Sequence, residues 1–135
     1  MSKQTYGNGD DAILLPTTTN SGTTAIVSPA QDMRRFDTIG LLLVTTGTIA
    51  GSWKIEASND FVTNSTGAVY GQAQNASPQW GTVTSIFTPT IAAVTSGGSS
   101  QATGATSFPW RQYRVTFTPT SGSGTVTVKQ FLKSI

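Results

Sequence analysis

Apolar and polar residues alternate most clearly in the stretch 36–57, FDTIGLLLVTTGTIAGSWKIEA. Over 52–57, Trp53, Ile55 and Ala57 fall on one side and Ser52, Lys54 and Glu56 on the other. A period of two puts one face of a strand in a core and the other in water. The preceding run, 36–46, is apolar at both parities: Ile39, Leu41 and Leu43 share one, Leu42 and Val44 the other. A strand of that kind is expected to be central in its sheet or to lie under a further layer. Between the two runs, TGTIAG carries two glycines able to adopt positive φ. The stretch therefore predicts a β-hairpin at the middle of a β-sandwich.

The second strong alternation lies in 108–119, where Tyr113, Val115 and Phe117 share a face opposite Gln112, Arg114, Thr116 and Thr118. A turn at 120–124 leads to a last strand over 125–132, which makes a second hairpin. Val126, Val128 and Leu132 agree in parity there and Phe131 does not. A bulge near Lys129 or Gln130, or burial on both sides, accounts for the mismatch. Further strands are expected at 23–28, ended by Pro29, and at 80–87, with a bend or a sheet edge at Pro89. A short apolar piece, 12–15, closes at Pro16, and 17–22 reads as a turn. Residues 30–35 read as a turn of helix or a lead-in to the central strand, 68–70 as an edge strand, and 58–60 as an Asx turn. Residues 95–107, rich in Gly, Ser and Thr, read as a long loop that is either functional or mobile.

No segment sustains a helical period. Seven to eight short strands separated by turn chemistry predict an all-β, antiparallel β-sandwich, jelly-roll or Ig-like. Both strand orders use the same local signals. The 135 residues suit a single domain, 1–135, with residues 1–25 a candidate N-terminal arm.

Composition narrows the function classes. Only 10% of residues are charged, well under the roughly 25% of ordinary domains. With 24 Thr, 15 Ser and 14 Gly, the polar surface is mostly hydroxyl and backbone. Such a surface suits a protein that sits against neighbours, and equally a polar, secreted-type β domain. A net charge of +2 is too weak for a nucleic-acid footprint. The absence of cysteine removes disulfides and thiolate chemistry, and the absence of histidine removes the commonest general base and metal ligand. No run approaches the ~20 apolar residues of a membrane helix. The start, MSKQTYGNGDD, lacks the apolar core of a signal peptide, so use without Sec export is expected.

Candidate chemistry is sparse. Asp10, Asp11 and Asp60, with Asn59 and Asn64, are the oxygen donors a calcium ion would need, but a turn explains Asn59 and Asp60 better. Glu56 and Asp60 are the one close acidic pair after residue 37. Glu56 shares a polar face with Lys54, so a solvated cross-strand pair is expected there in place of a glycosidase dyad. Trp53, Trp80, Trp110, Tyr70 and Tyr113 are candidates for a sugar-stacking platform. Trp53 is expected in the core, and Trp110, after Pro109, is the best exposed candidate. Arg111 and Arg114 fall on opposite faces of one strand, and at least one is expected to meet a neighbouring chain or a carboxylate such as Glu56. Arg34 and Arg35 form the other basic pair. No catalytic, metal or cofactor site is expected.

DTIGLLLVTTG and GSWKIEASND within 36–61, QWGTV at 79–83 and YRVTFTPTSGSGTVTV at 113–128 together resemble a pattern of small structural proteins of bacteriophages. The resemblance covers roughly half the chain and brings no catalytic residues. It implies a virion component made in the host cytoplasm: a capsid decoration, minor capsid or spike protein. Such a protein is non-enzymatic, forms homo-oligomers and docks on other capsid or virion proteins. Trp110, Arg111, Arg114, Arg34 and Arg35 are then the candidate interface or ligand contacts. The alternative is a carbohydrate- or receptor-binding module that takes a host glycan at Trp110.

Overall fold

A computed structural model describes residues 13–59 and 79–133. They form nine strands and no α-helix: β1 (Ile13–Thr19), β2 (Ile26–Val27), β3 (Gln31–Asp32), β4 (Thr38–Thr45), β5 (Ala50–Ser58), β6 (Gly81–Thr82), β7 (Ser99–Ala105), β8 (Gln112–Ser121) and β9 (Thr125–Lys133). One sheet has the order β1-β9-β4-β7. The other runs β2-β8-β5-β6, with β3 also on β8. Every pairing is antiparallel.

The pairings nest. β1 joins β9, β2 and β3 join β8, β4 joins β7, and β5 joins β6. This is one long antiparallel ribbon rolled into two layers, the jelly-roll order. The core lies between the layers because the period-two patterns point there. Ile39, Leu41, Leu43, Val126 and Val128 come from one sheet and Trp53, Ile55, Tyr113, Val115 and Phe117 from the other, all buried in one cluster. Tyr113 crosses the core to donate to Gln130 Oε1, and Gln130 Nε2 donates to Gln31 Oε1 at 2.8 Å. Burial pushes the Tyr113 phenol far above its usual range.

Both expected hairpins are corners between sheets. β4 and β5 belong to different sheets, as do β8 and β9. The two corners cross in backbone contact: Thr46 N donates to Thr125 O at 2.9 Å and Thr48 N to Ser123 O at 2.8 Å. The glycines are required by that crossing as much as by the bend. Gly47 and Gly122 have φ of 73° and 75°, and a Cβ would lie 2.5 Å from Ser123 O or 2.1 Å from Thr48 O, respectively.

Other expectations change in detail. Residues 99–105 of the expected loop form β7, whose small side chains lack the apolar alternation that marks a strand. Within 80–87 only Gly81 and Thr82 pair, and Thr84–Ile86 is a 3-10 turn that buries flanking Val83 and Phe87. β9 is unbulged against β4, Phe131 points outward, and the irregularities lie on the β1 side of the β1–β9 pairing. β1 runs through Pro16 to Thr19, so 13–19 of the candidate arm is an edge strand and 17–19 is no turn. Residues 31–32 are strand, not helix. The expected strand at 68–70 lies outside the described residues.

Candidate functional site

The outer face of the four-stranded sheet is built from the positions whose parity opposes the core. In register, Phe131 faces Gly40, which faces Gly104. The next row runs Ile13, Lys129, Leu42, Ala102, and the one after it Thr127, Val44, Ser100. Phe131 and Ile13 are 49% and 44% exposed, while Leu42 and Val44 are half-buried. β4 is central, as its double parity predicts, but no further layer of described residues hides its outer side. Phe131 packs over Gly40, where an added Cβ would lie 3.6 Å from the phenylalanine Cβ. Thr17 and Thr127 satisfy each other at 2.9 Å. Lys133, opposite Thr38, extends the face. Its rows contain no carboxylate.

At the end where β4 begins and β7 ends, the face opens into a cavity of about 400 Å³. Thr38, Gly104, Thr106 and Thr88 line it, with exposed Ile86 beside them. Gly104 has a steric reason to lack a side chain, since a Cβ would come 2.8 Å from Ile39 O.

The outer face of the other sheet is polar and tied. Glu56 stands opposite Arg114 in the β5–β8 register. Glu56 Oε1 accepts from Arg114 Nε at 3.0 Å and Thr116 Oγ1 at 3.4 Å, and Lys54 Nζ lies 3.5 Å from Oε2. Arg114 also stacks over the Trp80 ring, 4.2 Å from its centroid. The expected Arg114–Glu56 contact is present, but Glu56 is buried, not solvated. Three donors around one carboxylate make a clamp between strands. Among the described residues no three His, Cys, Asp or Glu side chains are placed to hold a metal ion.

The remaining predicted residues do not converge. Trp110 is half-buried, its ring edge-on to Phe108 at 5.0 Å and 64°, so it packs where exposure is expected. Trp53 is core, as its alternation predicts. Arg111 precedes β8; its carbonyl accepts from Met33 N at 2.7 Å. Arg34 is bound to Asp32 by Nε and Nη2, and exposed Arg35 adds its charge nearby. Burial works to raise the Asp32 pKa, but the Arg34 hydrogen bonds and the Arg34 and Arg35 charges outweigh it and hold the carboxyl below 3.8. Asp10, Asp11, Asp60 and Asn64 lie outside the described residues. Sequence reasoning passes over Phe131, Lys129, Ile13 and Lys133 as a surface, although the stray parity of Phe131 and the two apolar sides of 36–46 are its signals. No helix among the described residues is long and apolar enough to cross a membrane. No protein-family model, curated protein or solved structure matches the chain.

Proposed function

We propose that this protein is a non-enzymatic structural component of a virus particle, a capsid-associated decoration, minor capsid or spike protein that docks through the outer face of its four-stranded sheet. That face carries the reading: no described layer covers it, it sets Phe131, Ile13, Leu42 and Val44 among threonines and two lysines, and the described strand edges around it are short, irregular or met by other backbone. β1 contains Pro16 and two register shifts. β2, β3 and β6 are two residues each. β7 is met by Thr88, paired with Gly104 at 2.8 and 3.0 Å, and by Ala92, whose N–H and C=O bond the Gln101 amide at 2.8 and 3.0 Å. Closed edges discourage strand addition, which leaves a face as the route to association.

The size of the face makes a single contact weak, so docking through it calls for many copies. Four strands, the shortest of seven residues, share a face of roughly 19 by 23 Å, so about 900 Å² with the partner's side counted. Specific interfaces begin near about 1,200 Å², and multiplied weak contacts overcome that shortfall. Self-association into a homo-oligomer belongs to the same reading. A glycan-binding module has less support, because Trp53 is core, Trp110 packs on Phe108 and Trp80 is stacked by Arg114. The test is density-gradient fractionation of particles from the source, probed with an antibody to the chain. Co-banding at many copies per particle is expected. A chain found only in the soluble fractions would overturn the proposal.

A further inference from the structure

We infer that the partner of the open face is an acidic, apolar segment of a different protein, which lays an apolar side chain beside Phe131 or into the adjoining cavity and sets carboxylates on Lys129 and Lys133. The inference rests on the docking reading and adds the chemistry of the occupant.

The face sets apolar side chains among threonines, and the charges on its described rows are the two lysines. Lys129 lies between Ile13 and Leu42, and Lys133 stands opposite Thr38 at the cavity. Both lysines are exposed, and among the described residues neither forms an ion pair. A lysine held amid apolar groups is best answered by a carboxylate arriving with apolar neighbours, which pairs the charge as water leaves. Of the described carboxylates, Asp32 is paired with Arg34 and Glu56 with Arg114 and Lys54 on the other sheet, while Asp37, whose N–H bonds the Lys133 carbonyl, stands at the end of this face, held by the Thr38 hydroxyl and in no ion pair with either lysine.

A second copy placed face to face would add two more lysines to the same surface, with Asp37 at the Lys133 end the one described carboxylate near them. An anionic bilayer gains only about 1 kcal/mol per lysine, and Phe131, packed over Gly40, is not a free-standing wedge. A protein segment supplies both halves of the complement. The cavity of about 400 Å³ gives it a socket beside Thr38.

The test uses the full chain, isotopically labelled, and three eight-residue probes: alternating Leu-Glu, Leu-Lys and Leu-Gln peptides. Amide shifts are followed by NMR, along with a protein dilution series and vesicles of phosphatidylcholine and phosphatidylserine. The Leu-Glu peptide is expected to shift the amides of Lys129, Phe131, Leu42 and Lys133, with binding weakened by salt. Lys129→Glu with Lys133→Glu should weaken it about tenfold or more and invert the preference toward Leu-Lys. Equal binding of all three peptides at the face would keep the docking reading and overturn the acidic partner. Face shifts that depend on protein concentration alone would do the same in favour of a second copy. Face shifts with the vesicles but not the Leu-Glu peptide would assign the face to a membrane and overturn the inference. No face shift with any probe would overturn the inference, while the docking reading would stand or fall on the particle fractions.

Discussion

Tyr113 carries a hydroxyl into the core, and the cost of burying it is offset by Gln130, itself held by Gln31. Removing the hydroxyl leaves the Gln130 oxygen without that donor. Tyr113→Phe should therefore cost about 1–3 kcal/mol in urea unfolding, more than the ~1 kcal/mol net of an ordinary hydrogen bond. Its phenol should stay unionised as pH rises until the fold is lost, with no tyrosinate absorbance from this residue in the folded state. Asp32 behaves oppositely. Its carboxyl sits below 3.8 when folded, so its contribution to stability is present above that value and is lost as pH falls through the folded pKa. The melting temperature of Asp32→Asn should lie below that of the native chain at pH 7, and the gap should close in strongly acid buffer. A gap that persists unchanged there would remove the ion pair with Arg34 as its cause.

At the scale of elements, the crossed corners hold the two sheets together. Gly122→Ala would put a Cβ near 2.1 Å from Thr48 O at a φ of 75°, so the backbone has to move. The expected loss is about 2–4 kcal/mol by chemical denaturation, a strain term added to a steric one. Gly22→Ala, at a φ of 59° with nothing within 4 Å, should lose about 1 kcal/mol from strain alone. Equal losses would mean that the close approach carries no energy. These corners also mark how far the sequence is legible. Alternation at 52–57 and 112–117 identifies the strands and their inward faces, because burial on one side writes a period of two. It does not say whether a glycine turn returns a strand to the same sheet or carries it across, since that depends on partners far along the chain. β7 leaves little trace, because Ser, Ala, Gly and Gln gain their strand from pairing with β4. The site was half legible: Arg114 beside Glu56 follows from register, while Phe131 stands out only by disagreeing with its neighbours.

Over the whole molecule, nested pairing gives the two ends of the described chain unequal weight. β1 is an edge strand whose core contribution is Leu14 and Leu15. Burial of two leucines is worth about 3–6 kcal/mol, a large part of the ~5–15 kcal/mol that holds a domain. β9 is central between β1 and β4, and supplies Val126, Val128 and Gln130 to the interior. A chain starting at residue 20 should keep its β-sheet circular dichroism and unfold cooperatively at lower urea. A chain ending at residue 124 should show neither, because it removes the partner of both β1 and one side of β4. Phe131→Ser, on the outer side of β9, should unfold cooperatively with a loss of about 1–2 kcal/mol, from the half of the ring packed over Gly40, while lowering recovery of the chain in particle fractions. Cooperative unfolding by the chain lacking β9, or loss of cooperative unfolding with Phe131→Ser, would show that the interior is not divided from the docking face as the register divides them.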